Sequence, residues 1–412
     1  MTSHNKFHAK FEQTIPDQLS YKLPKASVPV TRRTVRYNPV QATSFSDTTT
    51  RVAQIIIPSV SFIDSSSIYL KFKHKSFDLR ANSTTAPFPS GYYGGMACLI
   101  QRLRIVSLAD GTTIEDISDY DNLSEMLGAI STPEDQLTNA LKTLSGTGRT
   151  EVERTIDGRT GKYYCLKPLS GFLRSNKYIP MKYLKGGIQL EIYFQDLAAS
   201  HQDSSPDDSQ SYEVTDLHLE CDVVNFEDSL IQSMDALVQQ KGIDMHFETY
   251  QYQPRQVGTD FNQVFSLAER SKSLKTVLIG MRNNNVVNSI THNSYTRTRN
   301  GLSKYQFDLS GIRLPTYQVS DTSAETFSEL VKAFGGNVSG AGLKNWYSTE
   351  YCLARDFSHV EGLVSGSSHS ENLQDITLML EFQSPVQARL DCFFHSDVLL
   401  TISADGRVDK FM

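Results

Sequence analysis

No stretch of this 412-residue chain approaches the ~20 consecutive apolar residues of a membrane-spanning helix; the clearest aliphatic cluster, Ile55-Ile56-Ile57, stops at Pro58. That excludes a helical membrane anchor within the sequence. Glycine motifs for nucleotides are missing as well. Gly340-Ala341-Gly342 lacks the third glycine of a dinucleotide fingerprint, and no Gly-Lys-Ser/Thr phosphate loop occurs, so nucleotide hydrolysis has no support. Gly336-Asn337-Val338-Ser339-Gly340 sets its serine one position off a nucleophile elbow. No Cys-x-x-Cys is present, and Cys392 with His395 is an isolated pair without metal-ligand spacing. The ten histidines, His246, His292, His359 and His369 among them, are scattered. Acidic pairs such as Glu115/Asp116 and Asp207/Asp208 have a spacing found in any protein, so a glycosidase is not indicated. The sequence is therefore expected to encode no enzyme and to need no cofactor or metal.

Charge and cysteine are also sparse. Charged residues make up 21% of the chain, and the net charge of −6 argues against a protein whose main task is coating nucleic acid. Arg102 and Arg104, flanked by Leu103 and Ile105, read as the wet face of a strand. The five cysteines, Cys98, Cys165, Cys221, Cys352 and Cys392, are odd in number and widely spaced. Buried reduced thiols explain them better than a disulfide framework. The polar start, Thr2-Ser3-His4-Asn5, has no apolar signal core, so a protein made inside the cell and not exported by signal peptide is expected.

What is abundant is strand-forming residue types. Alternation of the form Ile-x-Leu-x-Ile/Leu-x-Phe occurs twice, at Ile188, Leu190, Ile192, Phe194 and at Ile376, Leu378, Leu380, Phe382. Successive side chains of a strand point to opposite faces, so each copy reads as a half-buried strand, and their separation is about one β-domain's length. Val52 to Ile57, Ser67 to Phe77, Ala97 to Ser107, Thr112 to Glu115, Tyr163 to Leu169, Ile243 to Phe247, Ser273 to Met281, Lys304 to Leu309, Leu390 to Phe394 and Val398 to Ile402 read as further strands. Helices are expected after Ser118, after Thr132-Pro133, over 227–241 and after Thr322 or Ser323.

The expected organisation is a basic N-terminal arm over 1–45, a first sandwich over 46–226, a connecting helix over 227–242 and a second sandwich over 243–412. The arm carries Lys6, Lys10, Lys22, Lys25, Arg32, Arg33 and Arg36 against Glu12 and Asp17, with Pro16, Pro24, Pro29 and Pro39 opposing any helix. Its removal is expected to leave the folded body intact.

Several stretches together resemble major capsid proteins of tailless icosahedral double-stranded DNA viruses, on the polinton-like virus and virophage side of that group. They are Gly95-Met96-Ala97-Cys98-Leu99-Ile100-Gln101-Arg102-Leu103-Arg104-Ile105, then Asp110-Gly111, Ile114-Glu115-Asp116, Tyr120, Asn122 and Leu123. Leu169-Ser170-Gly171-Phe172, Tyr178-Ile179-Pro180, Gly187-Ile188-Gln189-Leu190-Glu191-Ile192, Leu314-Pro315 and the helix at Phe327 to Phe334 continue the likeness in order. The resemblance implies an all-β chain of two tandem eight-stranded jelly-roll sandwiches with short helices in loops. It further implies a homotrimer of pseudo-hexameric outline that tiles a virion shell beside neighbouring capsomers, penton proteins and minor capsid proteins. Under it, Lys22, Lys25, Arg32, Arg33 and Arg36 are the arm residues expected to reach a neighbouring capsomer, the genome or an internal membrane. Loops 78–95, 145–160 and 335–372 are expected to project, with the acidic stretch 203–208 at an outer tip. Two other readings stay open: a two-sandwich carbohydrate-binding or glycan-processing protein, using Tyr92-Tyr93, Tyr163-Tyr164 and Tyr250/Tyr252, and a minor capsid or spike protein.

Overall fold

The computed structural model describes residues 30–78, 86–148, 150, 161–203, 206, 210–268, 271–309, 311–335, 338, 345–358 and 376–412. Lys22 and Lys25, the acidic stretch 203–208 beyond Asp203 and Pro206, and much of the three long loops lie outside them.

Eight main strands build the first half among these residues: β1 (Val30–Tyr37), β2 (Val52–Ile57), β3 (Tyr69–Asp78), β4 (Ile100–Ser107), β5 (Thr113–Ser118), β6 (Lys162–Leu166), β7 (Ile188–Phe194) and β8 (Gln210–Phe226). Eight more build the second: β9 (Ile243–Val257), β10 (Asn262–Leu267), β11 (Leu274–Asn283), β12 (Leu302–Leu309), β13 (Ile312–Ser320), β14 (Cys352–Asp356), β15 (Ile376–Phe382) and β16 (Ala388–Ile402). In the first half, β8 lies between β1 and β3, with β6 beyond β3, while the facing sheet runs β2-β7-β4-β5. In the second half the orders are β9-β16-β11-β14 and β10-β15-β12-β13. Adding eight to every label converts one half into the other, and every one of these pairings is antiparallel. This is two jelly rolls in one chain.

The repeated pattern occupies the same slot twice. β7 lies between β2 and β4, and β15 between β10 and β12. Ile188, Leu190, Ile192 and Phe194 are buried, as are Ile376, Leu378, Leu380 and Phe382, because each strand points one face at its sandwich core. On β3 the same rule buries Leu70 and Phe72 and leaves Lys71, Lys73 and Lys75 on the wet side.

Helices fill corresponding loops. α1 (Tyr120–Ser131), α2 (Glu134–Thr138) and α3 (Ala140–Ser145) lie between β5 and β6; α4 (Asp228–Lys241) joins the halves; α5 (Ser323–Phe334) lies between β13 and β14. Thr322 caps α5 by accepting from the Glu325 N–H at 3.2 Å, and Glu325 accepts in turn from Ser320 N–H at 3.0 Å, which satisfies donors that a helix start leaves free. α1 starts two residues after the expected cap, Ser118, because Asp119 takes a left-handed conformation (φ 51°) that ends β5. The single helix expected after Thr132 is broken at Asn139 into α2 and α3. Residues 95–99 form a 3-10 turn instead of the start of β4, and the two strands expected over 390–402 are one. Of the cysteines, Cys98, Cys221, Cys352 and Cys392 are buried and Cys165 is half-buried; all are free thiols.

The segment expected as a free arm contributes a strand. From Val30 to Tyr37 it pairs residue by residue with Phe226 to Leu219 of β8, and Val35 and Tyr37 pack on the core. Its arginines concealed an alternation: Arg32, Thr34 and Arg36 line one face, while Arg33 stands in the same row as Val35 and Tyr37 and puts a charge on the face that packs inward. Removal of residues 1–45 thus takes an edge strand out of the first jelly roll.

Candidate functional site: the charged edge strand and the seam between the jelly rolls

On β1, Arg32, Thr34 and Arg36 share one face with Asp222 and Glu220 of β8. Arg32 bonds Asp222 at 2.6 Å and Asp64 at 2.8 Å, Thr34 donates to Asp222 at 2.6 Å, and Arg36 meets Glu220 at 3.2 Å. Glu220 is shared with Lys71, and Lys75 pairs with Glu213 at 2.9 Å. Thr34 and Arg32 hold the Asp222 carboxyl below the usual range against the burial that would raise it, and Lys71 does the same for Glu220. Arg32 and Arg36 therefore fasten β1 to its own sheet. Arg33, in the same row as Val35 and Tyr37, is exposed and makes no ion pair among the described residues. Edge strands invite pairing with other chains, and charged side chains flanked here by Pro29 and Pro39 are a common safeguard.

The second feature is the seam. The outer face of the β9-β16-β11-β14 sheet is dry because the first jelly roll covers it. Phe172 meets Phe247 edge to face, with centroids 5.7 Å apart. Gly280 of β11 leaves no room for a side chain: a Cβ there would come within 2.8 Å of Arg297 Cδ and 3.2 Å of the sulfur of Met126 in α1.

Buried charges cross this seam in complementary pairs. Arg282 of β11 donates from Nε to Asp391 at 2.6 Å and from Nη1 to the Ser294 carbonyl at 3.1 Å, and reaches Asp119 at 3.4 Å. Tyr252 donates to Asp391 at 2.8 Å, and Arg389 adds a 3.0 Å pair. Burial alone would raise the Asp391 carboxyl; Arg282 and Arg389 outweigh it and bring it below its ordinary value. Asp121, in the first turn of α1, accepts from Tyr295 and Gln195, each at 3.0 Å. Burial and then the neighbouring Asp119 push it up to about 7. Glu115 accepts from Ser170, from the Gly171 N–H at 3.0 Å and, across the seam, from Thr249 at 2.9 Å; burial raises it too.

These groups are arranged for structure. Each carboxylate is spent on a guanidinium, hydroxyl or backbone N–H, and a buried charge is tolerated only with such partners. Among the described residues no group of three or more His, Cys, Asp and Glu side chains is placed to hold a metal ion, and no helix is long and apolar enough to cross a membrane. The aromatic pairs that a glycan surface would use are dispersed. Tyr93 and Tyr164 are buried, Tyr250 and Tyr252 are half-buried at the seam, and Tyr163 alone of these is exposed. Sequence reading missed the seam charges. The available signal was a charge set inside an apolar run, as at Asp391 between Leu390 and Cys392.

No family model matches this chain, and no curated protein matches it. Solved structures do. The chain is similar to the capsid subunit in the PBCV-1 virus capsid (TM-score 0.67, 11% identity, 95% of this chain and 98% of that one). It is similar to the Faustovirus major capsid protein (TM-score 0.67, 10% identity, 93% and 92%) and to the mavirus major capsid protein (TM-score 0.54, 9% identity, 96% and 93%). At such identities the likeness is one of fold: the double jelly roll implied by the sequence resemblance is the fold this chain has.

Proposed function

We propose that this chain is a major capsid protein, three copies of which form a pseudo-hexameric capsomer that tiles an icosahedral virion shell. One observation carries the reading: the double jelly roll aligns over 95% of this chain and 98% of the PBCV-1 capsid subunit, and over 93% and 92% with the Faustovirus major capsid protein. A shell subunit must hold two sandwiches at a fixed angle, and a seam of spent buried charges does that. The absence of a metal cluster among the described residues and the dispersed tyrosines give the glycan-binding reading no specific support.

The finer assignments belong to the same proposal. The first jelly roll takes in β1, so its span is 30–226, followed by the helix to 242 and the second jelly roll over 243–412. Residues 1–29, with Lys22 and Lys25, precede β1 in the sequence. They would contact a neighbouring capsomer, the genome or an internal membrane, while penton and minor capsid proteins would meet the finished capsomer. The location is the virion.

The test is solution mass by light scattering after size exclusion, joined to electron microscopy of the same fractions. A species near three times 46.2 kDa, or closed particles, is the expected result. A chain that stays at 46.2 kDa at high concentration and yields no particle would overturn the proposal.

A further inference from the structure

A cleft of about 430 Å³ opens at the seam between the loop that follows β6 and the strands β9 and β16, lined by Ser170, Arg174, Ser175, His246, Tyr250 and His395 among others. Its back wall is fixed. Gly171 approaches β9 so closely that a Cβ would lie 1.6 Å from the Glu248 carbonyl oxygen, and Ser170 is tied to Glu115.

The acids beside the cleft are committed. Glu248 bonds His395 at 3.0 Å and also Lys275; His395 in turn stacks on Tyr250 with centroids 4.5 Å apart. Asp397 bonds His246 at 3.0 Å, Ser273 at 2.6 Å and lies 3.8 Å from Lys275. Glu115, behind Ser170, is a third acid and is likewise bonded; the cations are Lys275 and, on the loop, the Arg174 guanidinium. Arg174 donates from Nη2 to the Lys167 carbonyl at 2.6 Å, and no carboxylate of the described residues lies within ion-pair distance of it. Beside it, the Ser175 hydroxyl is buried without a hydrogen-bond partner. A polar wall with its acids spent, a guanidinium without a bonded carboxylate and a hydroxyl without a partner leaves donors open to an anion.

We propose that this cleft binds an oxyanion, a phosphoryl or carboxylate group carried on a small molecule, with Arg174 as its main ligand and Ser175 as a second donor. A guanidinium presents parallel N–H groups matched to two oxygens of either anion. The cleft volume suits a ligand larger than the bare anion. This inference does not depend on the shell reading, because the cleft lies within one chain.

The experiment is calorimetric titration of the purified full-length protein with sodium phosphate and, separately, with succinate at constant ionic strength. Saturable binding of phosphate alone identifies a phosphoryl site, of succinate alone a carboxylate site, and of both a general oxyanion site. Arg174→Gln is expected to weaken binding by about tenfold or more and Ser175→Ala by less, since hydrogen bonds to a charged group are the stronger kind. Arg407→Gln, at an exposed residue paired with Asp405, is expected to change nothing. Should Arg174→Gln fail to fold, Arg174→Lys keeps the charge without the planar fork and must bind more weakly than wild type. Absence of saturable binding for both anions, or equal binding by wild type and the Arg174 variant, would overturn the proposal.

Discussion

Acid should loosen the first jelly roll through two histidines that no solvent reaches. His74 of β3 and His201 are fully buried, with their Nε2 atoms 3.2 Å apart and their rings stacked at 5.2 Å. The groups around them are Tyr212, stacked on His201 at 5.0 Å, Tyr164 at the edge of His74, and the Ser200 hydroxyl, 2.8 Å from His201 Nδ1. Ser200 spends its proton on the Asp196 carbonyl at 2.8 Å, so His201 Nδ1 must be the donor to Ser200. His201 Nε2 then accepts from His74 Nε2–H, which leaves His74 Nδ1 a bare acceptor, and that atom has no partner. Both rings are thereby neutral, and a proton on either would be a buried cation with no carboxylate bonded to it. Burial lowers His74 to about 3 and, with His74 as neighbour, drives His201 well down as well.

The sign follows from which state takes the proton. The folded protein refuses protons that the unfolded chain accepts below about pH 6.5, so stability is full above that pH and is lost as pH falls beneath it. Each histidine costs about 1.4 kcal/mol per pH unit, so between pH 6.5 and 5 the pair costs roughly 4 kcal/mol, a large part of a domain's stability. Asp121 works in the opposite direction. Its carboxyl is raised to about 7, so its contribution is greatest in acid and fades as pH rises through 7. The net slope is therefore shallower than the histidine slope, and variants must be compared at each pH. Urea unfolding at pH 7.5, 6.0 and 5.0 for wild type and for His74→Leu/His201→Leu isolates the pair. The gap between the two proteins should shift by roughly 4 kcal/mol in favour of the variant from pH 7.5 to 5.0. A gap constant to within about 0.5 kcal/mol would refute the neutral-pair argument.

Three other outcomes follow from the seam and the edge strand. Arg282→Met takes from Asp391 and Asp119 the nearer of their two guanidiniums, leaving Arg389 at 3.0 and 3.9 Å, and chemical denaturation should register a loss of about 3 kcal/mol; less than about 1 would mean the seam is wet. Gly171→Ala forces a Cβ against the Glu248 carbonyl, so the loop must withdraw from β9; hydrogen exchange at Thr249 should accelerate while exchange in β4 does not. Removing residues 1–29 should leave a soluble, folded chain. Removing 1–45 strips β1, uncovers the edge of β8 and should send the protein into aggregates, and equal solubility of the two truncations would show β1 to be dispensable.

What the sequence disclosed and what it hid have one physical cause. β7 and β15 were legible because a strand with a single covered face writes a period of two into its own residues. β13 was not, since as an edge strand with most of its residues exposed or half-exposed it carries no dry face to read. β1 was masked by arginines whose partners, Asp222 and Glu220, stand almost two hundred residues away. The seam was the least legible feature for the same reason. Asp391 looks like a lone charge in an apolar run, Asp119 and Asp121 like members of an acidic polar stretch and Arg282 like the start of a polar turn, and only the fold brings them within bonding distance. Yet β16 did carry a trace: from Leu390 to Phe394 every residue, on both faces of the strand, is buried, as in a strand covered on two sides. A strand of an antiparallel sandwich normally keeps one face for water, so a run such as Leu390 to Phe394 declares that something covers the second face. A charge inside that run declares that the cover brings a counter-charge. Here the cover is the other jelly roll, which makes the pairing of the halves part of the folding problem itself.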